Sequence, residues 1–107
     1  MHKVWVADDD SAIRIILEES LSSAGFSVQT FSSGDDVVNE LKNDLPDLIL
    51  TDVQMPGMLG YDLLKHINDN HENIPVIVMT AFTDMQAAID SYGGGAFEYI
   101  PKPVDLD

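Results

Sequence analysis

Three stretches of the chain are apolar without a break: Val4 to Ala7, Leu48 to Leu50 running into Thr51, and Val76 to Met79. Such a run leaves neither face of a strand for water, so each predicts a central strand of a parallel sheet covered on both sides. Ser27 to Phe31 and Phe97 to Ile100 instead alternate polar and apolar residues, which predicts half-exposed strands at the two edges. Between the strands the period changes to that of a helix. Ile13, Ile16, Leu17, Leu21 and Ala24 predict a first helix, capped by Ser11 or Asp10 and stopped by Gly25. Val37, Val38 and Leu41 predict a short second helix from Gly34 to Asn43, and Leu63, Leu64 and Ile67 a third from Leu59 to Asn70. Asp84 is expected to cap a fourth, with Met85, Ala88, Ile89 and Tyr92 in register, before Gly93-Gly94-Gly95 ends it.

Strands that alternate with helices demand right-handed crossovers, parallel pairing and helices on both faces of the sheet. With the continuous runs inside and the alternating ones outside, the strand order is the flavodoxin-like, doubly wound 2-1-3-4-5 of an α/β domain. Residues 1–107 are long enough for one domain and too short for two. The sequence stops at Asp107, where a fifth helix is expected, so the domain reads as C-terminally truncated before helix five.

Charge narrows the function. Nineteen acidic against five basic residues give a net −14, which opposes direct binding of nucleic acid or an anionic membrane surface. The absence of cysteine excludes disulfides, thiolate metal sites and thiol nucleophiles, and fits a reducing, cytoplasmic location. No signal-peptide core and no apolar run of membrane-spanning length is present.

In an open parallel sheet the carboxyl ends of the strands share one edge, where ligands bind. That edge would collect Asp8-Asp9-Asp10 after the first strand, Asp52 after the third, Thr80 after the fourth and Lys102 after the fifth. Asp8, Asp9 and Asp52 together would cost roughly 4 kcal/mol per pair at about 4 Å and an effective dielectric near 20, so a cation is expected among them. An all-oxygen donor set favours Mg²⁺ or Mn²⁺ over zinc. With the Lys102 ammonium and the Thr80 hydroxyl alongside, the place suits a phosphoryl group, and Asp52 is a nucleophile toward phosphorus. Other residues read as structural. Trp5 belongs to the core, and His2, His66 and His71 lack ligand spacing and read as surface. Asp8-x-Asp10 lacks the glycine and terminal glutamate of a calcium loop.

At these residues the chain resembles the receiver (response-regulator, CheY-like) domain of two-component signalling, over essentially its whole length. Val4 to Ser11, Met55-Pro56-Gly57-Met58, Met79-Thr80-Ala81 and Gly95 to Pro103 are most similar to receivers of NtrC-type nitrogen regulators. The resemblance implies a phosphorylation-dependent switch rather than an enzyme with an outside substrate, with only self-phosphorylation and autodephosphorylation of its own. Asp52 would accept a phosphoryl group from the phosphohistidine of a histidine kinase. Asp9, Asp52 and the backbone carbonyl of Gln54 would hold Mg²⁺, which Mn²⁺ can replace, and Asp8 would act largely through water. Lys102 would pair with a phosphoryl oxygen, Thr80 would close on the phosphate, and Tyr99 would turn inward behind it. A cis Lys102-Pro103 bond, kinase docking near the first helix and the loop after the fifth strand, and a downstream effector domain controlling transcription are further implied. A phosphorylation-dependent homodimer is compatible with it.

Two rival classes fit part of the pattern. A haloacid-dehalogenase-like phosphatase would use Asp8 as nucleophile and Asp10 as acid-base, but gives Asp52 no task. A pseudo-receiver would bind partners without phosphate, but gives the full residue set no task. Two positions depart from the family pattern. Leu59 stands where many relatives carry Asp or Asn, removing a cap of the third helix worth about 1 kcal/mol, so Leu59→Asp is expected to raise the melting temperature. Gly93 and Gly94 are expected to weaken the last turn of the fourth helix by up to roughly 1 kcal/mol each relative to Ala.

Overall fold

In the computed structural model, which describes residues 2–52, 60–71, 73–81, 86 and 98–102, the strands are β1 (Lys3–Ala7), β2 (Ser27–Phe31), β3 (Leu48–Asp52), β4 (Val76–Ala81) and β5 (Glu98–Lys102). They form one parallel sheet ordered β2-β1-β3-β4-β5, so the topology read from the burial pattern holds. Its helices are α1 (Ser11–Ser23), α2 (Gly34–Glu40) and α3 (Gly60–Asn70). Among the described residues no helix is long and apolar enough to cross a membrane.

The continuous apolar runs are continuous because the sheet has two cores. Trp5 and Ala7 of β1, Ile49 of β3, and Val76 and Val78 of β4 join Val37, Leu41, Leu63, Leu64 and Ile67 of the α2 and α3 region on one face. Val4 and Val6, Leu50 and Met79 point the other way and pack with Leu17 of α1. Successive residues of one strand thus enter opposite cores, as the period of two requires. β2 buries only its last residue, Phe31, and leaves Ser27 and Gln29 in water. Pro101 lies in β5 at the edge of the described sheet, the place where a strand tolerates a residue without an N–H.

Local chemistry sets the element ends. Asp10, not Ser11, is the N-cap of α1: its backbone is extended and its carboxylate accepts the Ala12 N–H at 2.9 Å. Gly25 takes φ +99 beyond the helix, a left-handed conformation that explains why glycine stands there. Ser33 caps α2 by accepting from Asp36 N–H at 3.2 Å.

Three expectations need adjustment. α2 ends at Glu40 rather than Asn43, because Lys42 and Asn43 donate to Asn39 and Glu40, three residues back, and so tighten out of the α-helical pattern. Ile16, expected in the core stripe of α1, is 58% exposed. At 100° per residue Ile13, Leu17 and Leu21 follow one line, and Ile16 falls a full 100° from Leu17. β4 and β5 both reach further than their apolar runs, since Thr80 pairs with Pro101 and Ala81 with Lys102. Leu59, Phe97, Pro103, Gly93 to Gly95 and the expected fourth-helix residues Asp84, Met85, Ala88, Ile89 and Tyr92 lie outside the described residues; Gln86 is helical.

One surface contact carries a pH signature. Lys3 Nζ donates to Asp44 Oδ1 at 2.7 Å and the Leu45 N–H donates to the same oxygen at 2.9 Å. These bonds, the lysine's first, hold the Asp44 carboxyl below its ordinary 3.8. A carboxyl that is more acidic folded than unfolded contributes stability at pH above its unfolded value and loses it as pH falls through the folded one. A small gap in stability between the wild type and Lys3→Met is therefore expected at neutral pH, closing as the solution is acidified below 3.8. Urea midpoints across that range check this, and a gap that widens in acid would remove Asp44 from the account.

Candidate metal and phosphoryl site

The sheet order reverses at β1 and β3, whose neighbours β2 and β4 run off to opposite sides. The helices that follow the two central strands leave toward opposite faces, which opens a crevice at their carboxyl ends. Asp8 follows β1 directly and Asp52 is the last residue of β3; both are buried, while Asp9 is exposed at the mouth. One carboxylate oxygen from each of Asp8, Asp9 and Asp52 lies within 4.8 Å of the others.

Burial of Asp8 and Asp52 in a chain of net −14 has a physical requirement. At 4.8 Å two carboxylates repel by about 3–4 kcal/mol at an effective dielectric near 20, so the cluster calls for a cation. Oxygens bound to one Mg²⁺ at about 2.1 Å stand roughly 3–4 Å apart. The cluster therefore needs less than about 2 Å of closure, or a bridging water, to surround a hard dication. Carboxylate oxygens alone, with an open side at Asp9, fit Mg²⁺ or Mn²⁺ and not a tetrahedral zinc.

The loop that carries Asp8 and Asp9 is tied from several directions. Asp8 N–H donates to the Phe31 carbonyl at 3.1 Å, Asp10 N–H donates to Asp8 Oδ1 at 2.9 Å, and Arg14 Nη1 donates to the Asp8 carbonyl at 2.6 Å. On the neighbouring strand, Thr51 Oγ1 donates to the Asp52 carbonyl at 3.1 Å, so β3 presents Asp52 on a fixed peptide.

Thr80, next to last in β4, is 1% exposed, and its Oγ1 has no hydrogen-bond partner among the described residues. A buried hydroxyl left so costs about 1–3 kcal/mol, which a ligand oxygen at the crevice would remove. Lys102 ends β5 opposite Ala81, at the same edge of the sheet. Tyr99 is half-buried, pairs in register with Val78 and packs against the core on the α2 and α3 face. Gln54, expected to lend a carbonyl, and the Lys102-Pro103 bond lie outside the described residues.

Two groups escaped the sequence reading. Arg14 and Thr51 touch the site through backbone carbonyls, and such contacts leave no residue-type pattern; a lone arginine one turn into the helix after an acid triplet was the available signal. His66 and His71, expected at the surface, are instead half-buried with ring centroids 6.2 Å apart. They line a cavity of about 360 Å³ with Val38, Leu41, Lys42 and Asn70, away from the acid cluster.

Fold and site define a flavodoxin-like doubly wound domain whose switch point carries a carboxylate cluster. Residues 4–107 match the response regulator receiver domain, and the chain belongs to that family. It is 50% identical over 103 residues to the DNA-binding transcriptional regulator NtrC of Klebsiella pneumoniae, a match that covers 96% of this chain and 22% of that protein. The chain thus spans about a fifth of the length of the curated NtrC relatives it matches. Among solved structures, the apo receiver domain of nitrogen regulatory protein C superposes with a TM-score of 0.87 at 49% identity, covering 99% of this chain and 86% of that one. The response regulator TrrA of Thermotoga maritima, in complex with Mg²⁺-BeF, superposes at 0.88 with 27% identity over 100% of this chain and 91% of its own. The NtrC-type likeness carried by the motifs is borne out.

Proposed function

We propose that this domain is a phosphorylation-controlled switch that takes a phosphoryl group on Asp52 from a histidine kinase and returns it to water. The observation that carries the reading is the meeting of Asp8, Asp9 and Asp52 oxygens within 4.8 Å at the switch point, beside a buried Thr80 hydroxyl with no partner among the described residues.

Asp9, Asp52 and the Gln54 carbonyl would hold Mg²⁺, and Asp8, whose Oδ1 already accepts the Asp10 N–H, would act through water. When bound, Mg²⁺ would supply the positive charge that offsets the carboxylates and the phosphoryl oxygens. An Asp52 oxygen attacks phosphorus in line as the P–N bond of the phosphohistidine breaks, and the departing imidazole keeps the electron pair and takes a proton from solvent. Lys102 pairs with one phosphoryl oxygen and Thr80 Oγ1 donates to another, so charge and hydrogen bonds are supplied where negative charge gathers. Attack by water on the same phosphorus later releases inorganic phosphate and restores the carboxylate. Movement of Thr80 toward the phosphoryl group leaves room for Tyr99, already half-buried on β5, to turn further inward.

Ile15 and Ile16, each 58% exposed on α1 beside the acid loop, support kinase docking on that helix. The NtrC relatives, DNA-binding transcriptional regulators by name, support an effector domain elsewhere in the full-length protein and transcription as its output, and the absence of cysteine fits the cytoplasm as its place. The phosphatase alternative is disfavoured by hydrogen bonding: Asp10, its acid-base, is engaged as the α1 cap. Incubation with Mg²⁺ and acetyl phosphate, followed by location of alkali-labile phosphate, tests the reading. Label on Asp52 is expected; label on Asp8 would establish the phosphatase, and no label would establish the pseudo-receiver.

A further inference from the structure

Arg14 is the chain's single arginine and one of only five Lys and Arg residues among nineteen acids. It lies in the first turns of α1, half-buried, with Nη1 2.6 Å from the Asp8 carbonyl oxygen. The other ties of the acid loop account for different atoms. Asp8 N–H is held by the Phe31 carbonyl of β2, the Asp8 carboxylate by Asp10 N–H, and the Asp10 carboxylate by Ala12 N–H. The peptide between Asp8 and Asp9 joins a buried carboxylate to an exposed one, and the guanidinium donates to its carbonyl. A rotation of that peptide would swing Asp9 relative to Asp8 and Asp52.

We propose that Arg14 is a positioning residue that sets the cation affinity of the acid cluster by locking the Asp8-Asp9 peptide. The inference rests on the reading of Asp8, Asp9 and Asp52 as a cation site. Two effects of the guanidinium oppose each other. Its charge repels an incoming dication, and its hydrogen bond pre-sets the ligands. Positioning prevails, because the guanidinium engages a backbone carbonyl and not a ligand oxygen, the half-buried side chain leaves its charge partly screened by solvent and salt, and groups that orient metal ligands typically set affinity by 10–100-fold. Arginine suits the task better than lysine, since its planar fork is pre-organised and permanently charged.

The test is Mn²⁺ binding, followed by the loss of the free-ion electron paramagnetic resonance signal, with Mg²⁺ as competitor. Arg14→Met is expected to weaken Mn²⁺ binding about tenfold, and Arg14→Lys, which restores a donor and the charge, to recover most of that loss. Both variants are compared with the wild type in metal-free thermal melts, so that a folding defect is separated from a site defect; should Arg14→Met fail to fold, Arg14→Lys alone is expected to bind measurably less tightly than the wild type. Tighter binding by Arg14→Met would mean that charge repulsion prevails, and unchanged binding in both variants would mean that the peptide needs no lock; either overturns the proposal. Wild-type binding that Asp52→Asn does not diminish would overturn the site reading itself, an outcome distinct from indifference to Arg14 alone.

Discussion

Asp52→Asn is expected to incorporate no phosphate from acetyl phosphate in the presence of Mg²⁺, and to melt at a higher temperature than the wild type when the metal is absent. The first effect follows from chemistry: the amide oxygen is a poor nucleophile, and its acyl phosphate cannot form without loss of the amide nitrogen. The second follows from charge. Asp52 is 7% exposed and has an oxygen within 4.8 Å of oxygens of both Asp8 and Asp9. Removing one of three charges deletes two repulsive pairs, each worth up to about 3–4 kcal/mol at an effective dielectric near 20 and less where Asp9 meets water, so a gain of about 1 kcal/mol or more is expected. Asparagine keeps the volume and one acceptor, so packing at the end of β3 is little disturbed. Mg²⁺ is expected to stabilise the wild type by ligand linkage, and that increment should shrink in the variant, since a lost ligand costs at least the 10–100-fold that a lost supporting contact costs. Paired melts with and without Mg²⁺ read both effects together. A variant that melts lower than the wild type without metal would mean that Asp52 is held by partners that outweigh the repulsion.

Trp5→Ala is expected to cost about 3–5 kcal/mol, the largest single loss in the core. Trp5 is 1% exposed in the middle of β1, packs within the core on the α2 and α3 face, and meets Phe31 with ring centroids 5.0 Å apart and planes tilted by 55°. Its removal would leave a cavity that a parallel sheet cannot close, because β1 is bonded on both sides, to β2 and to β3. Domains of this size are stable by roughly 5–15 kcal/mol, so the variant retains only part of its margin. Urea unfolding followed by circular dichroism measures the cost, and a loss under about 1 kcal/mol would show that the sheet repacks. The same cavity lies three residues before Asp8, yet on a core face rather than in the crevice, so Mg²⁺ affinity of the folded fraction is expected to hold.

Much of this protein is legible in its sequence because burial on both faces of a strand leaves an unbroken apolar run. Val4 to Ala7, Leu48 to Leu50 and Val76 to Met79 identify the central strands, the alternating runs identify the edges, and the handedness of crossovers leaves one economical order. Once the order is set, parallel strands bring their carboxyl ends to one side, and Asp8, Asp52, Thr80 and Lys102 follow without further information. Side-chain direction is another matter. Whether Ile16 points inward depends on the rotation of α1 about its axis, which its packing against the sheet decides through Leu17 and not through the spacing of apolar letters. Whether Asp10 or Ser11 caps α1 depends on which residue is extended at the turn. The approach of His66 to His71 depends on how the chain leaves α3 toward β4. The hold of Arg14 on the Asp8 carbonyl depends on a long side chain reaching back over a turn. Sequence alone therefore determined the sheet and the edge at which its chemistry gathers, since period and chirality are local rules. Tertiary structure alone decided which atoms brace the acid cluster, since hydrogen bonds to backbone carbonyls are made by position and are indifferent to the residue that carries the oxygen.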